Sequence, residues 1–468
     1  MRSRIPRDCL ETPSRARPRV RRGARCHGRD AATSMSYLDD WYAVVARNIG
    51  GGSTKRFFHQ GYGDMAAASR LYSHVIGAVT RGETVPLRIT KWGEKERSAP
   101  SFFSGCLGPG GARGTPTFQE ASFESPAASY LPEASKTGRF LFVWRDGEDG
   151  TPPPAPRKIA VHLPTTGDQF YYFRKQIALD LLKHDIASVI LMFPYYSARK
   201  PEAQFAHVLP SVSAFITQIA AGVTESAGIA AWADATYGLE TRVVFTGVSL
   251  GGSVANVAAI VAAAGLERGD VRVGSAPVVA TSSATSFLTG VLHSRIAWDT
   301  LAAAPAGCAD DIKAVLAGAT GEAPGESCVD SPTTALTKEN GEPLNDVERR
   351  LAETMECLSL PKITRLMAAR RRDADMEKAA PSLGSVVQVS ASGDRFVGKH
   401  QTELFATLSE LCARAERVDI PGGHISTLFK RDEVIVPAIV AAFDRLDGVV
   451  ASGNATEAPM AAEAPRRA

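Results

Sequence analysis

Thr241-Arg242-Val243-Val244-Phe245-Thr246-Gly247-Val248-Ser249-Leu250-Gly251-Gly252-Ser253-Val254-Ala255 is the stretch on which the fold turns. Val243 to Thr246 are β-branched or aromatic with no alternating polar face, the pattern of a strand buried on both sides in a parallel sheet. Gly247 to Gly251 then spell G-x-S-x-G. The chain continues uncharged and rich in Ala and Val to Gly265, which predicts a buried helix that stops at a glycine. A strand that becomes a helix within a few residues brings the two backbones nearly into contact, so the flanking positions must be small. The residue at the apex is bent into a strained conformation and its hydroxyl is lifted above the sheet. This is the pattern of a nucleophile elbow with Ser249 at its apex.

Working outward, the composition sets bounds. The chain has 468 residues, 44% hydrophobic and 22% charged, as in an ordinary globular protein. That length suits one large α/β domain with an insertion, or two domains. A net charge of +3, with much of the positive excess in the first thirty residues, argues against a nucleic-acid-binding body. The seven cysteines (Cys9, Cys26, Cys106, Cys308, Cys328, Cys357 and Cys412) are scattered and form no C-x-x-C pair. They read as reduced thiols of an intracellular protein, with no zinc site expected. No transmembrane span is expected either, because the longest uncharged run is the elbow and its helix, broken by Gly247, Gly251 and Gly252.

Residues 1–34 are Arg-rich, acid-poor and broken by Pro6, Pro13 and Pro18. They fit either an organelle transit peptide or a disordered extension ahead of a start at Met35. Residues 35–93 form an N-terminal helical segment. Within it Leu38, Trp41, Tyr42, Val45 and Ile49 recur at helical spacing, with Asp39, Asp40 and Arg47 elsewhere on the helix. The adjacent Lys55-Arg56-Phe57-Phe58 cluster is a candidate peripheral membrane contact, against the alternative that this segment packs on its own domain. Residues 94–285 form the first part of an α/β core. It contains a loop over 94–116, two strands near 117–123 and 138–144 at an antiparallel edge, and a linker over 147–156.

From 158 onward strands alternate with helices: strands at 158–163, 187–193, 243–246 and 271–276, helices at 171–184 and 211–235. Alternation at this spacing predicts βαβ units, a mostly parallel sheet and helices on both faces. Residues 286–380 interrupt the rhythm after the sixth strand, as a helical cap insertion would, and contain a triple arginine at 370–372 read as a solvated helix end. The core resumes over 381–447, with strands near 385–389 and 416–420 and a last helix restarting at Pro437. The Ala/Glu/Pro tail at 448–468 reads as disordered. Together these elements predict the α/β-hydrolase fold.

Acyl transfer by a serine requires a nucleophile, a base, a group that orients the base, and donors for the oxyanion. Ser249 is the nucleophile candidate. Asp394, in the loop after the strand at 385–389, is the candidate acid, with Asp419 as the alternative. His424, after Pro421-Gly422-Gly423 and the last strand, is the candidate base. The order Ser, Asp, His is that of this fold. The Leu250 N–H follows the nucleophile and is one oxyanion-hole candidate. Thr166 or Gly167, in the loop after the third strand, supplies the other. Asp168 and Arg174 are candidates either to brace that loop by a local ion pair or to lie on the surface, His162 reads as a structural histidine, and Tyr195 and Tyr196 are candidate substrate-binding residues, against the alternative that they simply pack. No metal or organic cofactor is called for.

Several of these residues carry a resemblance. Met35-Ser36 with the following Leu38-Asp39, His162-Leu163…Thr166-Gly167-Asp168, Pro194-Tyr195-Tyr196…Arg199-Lys200-Pro201, Glu225-Ser226-Ala227, Gly247…Ser249…Gly251-Gly252, Thr289-Gly290-Val291-Leu292 with Trp298, and Gly422-Gly423-His424-Ile425-Ser426 resemble the α/β-hydrolase domain-containing protein 18 family. The resemblance runs in patches from Met35 to Leu446 and is weakest in the cap. It implies a serine hydrolase of acyl esters, of lipid or phospholipid type, with a mitochondrial association, and a triad at Ser249, Asp394 and His424. Alternatives on the same fold are an acyltransferase or thioesterase using the same triad, and a non-catalytic lipid-binding or scaffold protein.

Overall fold

The computed structural model describes residues 38–39, 56–97, 115–146, 156–238, 240–266, 272–305, 342–356, 383–398, 400–412 and 414–456, with isolated positions between 307 and 363. The Arg-rich stretch 1–34, most of the predicted helix that starts at Leu38, the linker at 147–155, the triple arginine and the residues after 456 lie outside them.

Among the described residues nine strands form one sheet in the order β1-β2-β3-β5-β4-β6-β7-β8-β9. They are β1 (Ile89–Arg97), β2 (Pro116–Glu124), β3 (Thr137–Arg145), β4 (Lys158–Leu163), β5 (Ala187–Met192), β6 (Arg242–Val248), β7 (Val273–Val278), β8 (Ser385–Ala391) and β9 (Ala415–Ile420). The pairs β1–β2, β2–β3 and β3–β5 are antiparallel, and every pair from β5 across to β9 is parallel. With α1 (Met65–Arg81), α2 (Tyr172–Leu181), α3 (Val212–Tyr237), α4 (Leu250–Gly265), α5 (Asp346–Glu356), α6 (His400–Leu411) and α7 (Val436–Thr456) around it, this is the α/β-hydrolase fold.

The central strands are buried on both faces, and their alternation divides the core in two. Ile159, Val161, Leu163, Val243 and Phe245 enter one apolar cluster with residues of α1, α3 and α4. Ala160, Val244 and Val248 enter the other, with Ile177 of α2 and Ile439 and Phe443 of α7. Helix α3 is buried nearly all round, because α1 packs on the side that the sheet leaves open.

Three features sharpen or correct the sequence reading. Strand β1 crosses the boundary placed at 93/94, and so the antiparallel edge has three strands, not two. Its charged residues, Lys91, Glu94, Lys95, Glu96 and Arg97, are all exposed, so no apolar alternation announced it. Charge of this kind is how an edge strand avoids pairing with another chain. Phe57 and Phe58 are buried and pack against Phe287 and Phe215, so these two aromatic residues join the core, as the packing alternative expects. Helix α7 begins one residue before Pro437, after a π-helical turn at Arg431–Ile435, and continues to Thr456, past the boundary drawn at 448.

The insertion falls between β7 and β8. Its described part comprises short helices at Ser286–Thr289, Val291–Arg295 and Trp298–Ala302, followed by α5. No helix among the described residues is long and apolar enough to cross a membrane.

Candidate active site

The parallel strands bring their carboxyl ends to one edge, where ligands bind in open α/β sheets. Leu163 of β4 pairs with Gly247 of β6, and Ala391 of β8 with Ile420 of β9. Thr166, Ser249, Asp394 and His424 each lie two to four residues beyond one of these paired ends.

At the end of β6 the turn into α4 is immediate. Ser249 has φ 57° and ψ −122°, a conformation that costs a non-glycine residue about 1–3 kcal/mol. Its neighbours show why they are glycines. A Cβ on Gly247 would stand 2.5 Å from the Gly251 carbonyl carbon, and one on Gly251 would stand 2.5 Å from the Leu163 carbonyl oxygen. The Ser249 N–H donates to the Val278 carbonyl at 2.9 Å, fastening the apex to β7.

Asp394 and His424 are both buried. Nδ1 of His424 is 2.7 Å from Oδ2 of Asp394, which leaves Nε2 as the ring nitrogen to face a hydroxyl. The other carboxylate oxygen, Oδ1, accepts from the Phe396 N–H at 2.8 Å and the Val397 N–H at 3.0 Å, so the acid is anchored by its own loop. The Phe396 ring stacks on the imidazole, with centroids 4.6 Å apart. Asp419, the alternative acid, instead accepts from Arg417 Nε on the exposed side of β9.

Phe396 and Val397 also form part of the wall of an open cleft, about 790 Å³ with the solvent space at its mouth, which Ser249, Leu250 and Thr166 line as well. Phe215, Ile219, Val254, Val257, Leu292 and Leu360 give it apolar lining, and a serine-rich run from Ser282 to Ser286 adds hydroxyls. Leu292 and Leu360 come from the insertion between β7 and β8.

Two expectations about this cleft change. Tyr195 and Tyr196 are not among the residues that line it; both are buried, and burial pushes the Tyr195 phenol up to about 12. The Tyr196 hydroxyl accepts from the Gly167 N–H at 3.3 Å. Gly167 therefore has its N–H turned to a brace, which leaves Thr166, the residue on the cleft wall, as the donor candidate of this loop. Arg174 secures the same loop, pairing with Asp168 at 2.7 Å and donating to the carbonyls of His162 and Leu191. His162 is structural in its setting: it is buried beside Ser188 Oγ at 3.1 Å, and burial lowers its pKa to about 3.

The Pro-Tyr-Tyr…Arg-Lys-Pro block owes its residues to burial. Arg199 and Glu225 are both fully buried and paired at 2.6 Å. Arg199 also donates to the Met192 carbonyl at 2.6 Å, and Ser125 Oγ donates to Glu225 at 2.5 Å. One residue of the neighbourhood escaped the sequence reading. Asp39, assigned to a helix flank there, is fully buried against the acid and base loops. Its signal was its place in the Leu38-Asp39 patch of the resemblance.

A strained serine in an apolar cleft, a carboxylate-held imidazole stacked on Phe396 of the cleft wall and an N–H at the start of a helix form a set suited to nucleophilic attack on a carbonyl. Compared with known proteins, the sequence matches the profile of the family described as alpha/beta hydrolase domain containing 18 over residues 55–445. Similar solved structures include a cold-adapted esterase from an Arctic intertidal metagenomic library, 13% identical over 75% of this chain and 99% of that one, with a TM-score of 0.39. The rice cell wall degrading esterase LipA from Xanthomonas oryzae is 12% identical over 79% of this chain and 99% of its own, with a TM-score of 0.36. Esterase Est22 is 13% identical over 74% and 80%, with a TM-score of 0.35.

Proposed function

The chain belongs to the alpha/beta hydrolase domain containing 18 family, and on that premise we propose that it hydrolyses carboxylic esters through an acyl-enzyme on Ser249. The observation that carries this reading is the 2.7 Å bond between His424 and Asp394, behind Phe396 and Val397, which line the cleft that holds the strained Ser249.

In this mechanism His424 Nε2 takes the Ser249 proton as Oγ attacks the acyl carbonyl. Asp394 holds the proton on Nδ1 and stabilises the imidazolium that forms. The N–H groups of Leu250 and Thr166 donate to the oxyanion. As the first residue of α4, Leu250 has no intrahelical acceptor for its N–H. The tetrahedral intermediate collapses, His424 returns the proton to the departing alcohol, and a water deprotonated by the same imidazole releases the acid. The apolar lining of the cleft receives the acyl chain, which favours a lipid-type ester, phospholipids included. The described insertion residues act as the cap that shapes that lining.

The reading is tested with a fluorophosphonate probe on folded wild type and Ser249→Ala, followed by esters of graded acyl length. Wild type is expected to label and to turn over acyl esters. The alanine variant is expected not to label and to lose turnover by about 10⁶-fold. A folded wild type that neither labels nor turns over esters refutes it.

A further inference from the structure

The acid and the base sit on separate loops, and both loops close on one carboxylate. Asp39 is fully buried. Its Oδ2 accepts from the His424 N–H at 2.8 Å and from the Arg395 N–H at 3.4 Å. Its Oδ1 accepts from the Ile425 N–H at 2.8 Å. Gly423 makes room for the group, since a Cβ there would stand 2.5 Å from Oδ2 and 2.7 Å from the carboxyl carbon.

What these bonds hold decides what they do. The successive N–H groups of His424 and Ile425 grip the two oxygens like a fork, which fixes the peptide plane that carries the imidazole. The residue after the acid, Arg395, is tied to the same carboxylate. Bonds from a carboxylate to backbone N–H groups are charge-assisted, and burial strengthens them further. The two loops are also joined at their roots, Ser392 N–H to the Ile420 carbonyl at 3.0 Å and Gly393 N–H to the Gly422 carbonyl at 2.8 Å. Those bonds continue the β8–β9 ladder and end before Asp394 and His424. Past them, apart from the acid–base bond itself, the hydrogen bonds that span the loops among the described residues are those of Asp39.

We infer that Asp39 is a positioning residue for the acid–base pair, so that a segment preceding the whole sheet completes the active site. The kinetic part of this inference rests on the ester-hydrolase reading; the structural part does not. A small displacement of a base from its near-attack position is enough to cost about 10²-fold in rate, which sets the scale expected for losing the fork.

The test compares full-length wild type, Asp39→Ala and Asp39→Asn by three measurements. These are kcat and KM on a short-chain p-nitrophenyl ester, the strongly downfield proton NMR signal of the Nδ1–H shared with Asp394, and the thermal midpoint. Asp39→Ala is expected to lower kcat about 10²-fold with KM unchanged, and to lose the downfield signal to exchange. Asp39→Asn keeps one acceptor oxygen and turns an amide NH₂ toward the fork, so it falls between the two. A variant that keeps the downfield signal and the wild-type kcat overturns the inference. So does one that merely lowers the thermal midpoint with that signal intact. If the alanine variant does not fold, Asp39→Asn decides alone. A wild type that shows the downfield proton yet neither labels nor turns over esters refutes the hydrolase reading, and the NMR comparison then judges Asp39 by itself.

Discussion

The two halves of the candidate site are held in opposite ways. The Ser249 turn is secured from within: its strained φ and ψ follow from a strand and a helix that meet over five residues, with Gly247 and Gly251 leaving no space for side chains. The acid–base half is secured from outside. Asp394 and His424 lie 30 residues apart, and the carboxylate that grips their loops is more than 380 residues away from the base. A short-range arrangement is written into neighbouring residues and forms as the strand and helix form. A long-range one depends on the finished tertiary structure, and small changes there shift geometry while leaving the fold in place.

That contrast can be broken at several points. The largest effect after loss of the serine itself is expected for Asp394→Asn. The amide keeps an oxygen for the Phe396 and Val397 N–H groups but imposes the wrong tautomer on His424, so kcat should fall about 10⁴-fold with little change in thermal midpoint. A variant near the wild-type rate would place the acid elsewhere. Gly251→Ala attacks the other half. Its Cβ meets the Leu163 and Pro164 carbonyl oxygens at 2.5 and 2.9 Å, and denaturant unfolding should show a loss of about 3 kcal/mol, the upper end for overpacking. Unfolding free energy equal to wild type would mean that the turn has slack and that its glycines are not sterically required. The smallest effect is expected for Tyr196→Phe, which deprives the Gly167 N–H of its acceptor. One such bond is worth about 1 kcal/mol, so kcat should fall roughly fivefold with KM unchanged, because the brace steadies the Thr166 loop without touching the cleft. A change in KM alone would put the tyrosine in contact with substrate after all.

Where the reading from sequence worked, the information was local. The apolar runs of β4 to β8 and the helices between them were legible because a strand buried on both faces must be apolar throughout; turn residues at strand ends likewise singled out Ser249, Asp394 and His424 as candidates. Strand β1 was illegible because an edge strand is exposed and charged, so its one-sided pairing leaves no hydrophobic period. Tyr195 and Tyr196 were open between lining the pocket and packing; the chain bends there (Tyr195 has φ 67°), both rings are buried, and Tyr196 braces the loop at Gly167.

The sequence by itself determined the parallel core, the strained turn at Ser249 and the identity of the acid and base candidates, since each follows from residues close together in the chain. Only the tertiary structure decided that the Gly167 N–H is taken by Tyr196, why Arg199 and Glu225 are buried together, and that Asp39 closes on the loops of His424 and Asp394. Those outcomes depend on hydrogen bonds between residues distant in the chain. A carboxylate on a helix flank reads as solvated until the fold takes its water away and supplies backbone N–H groups instead.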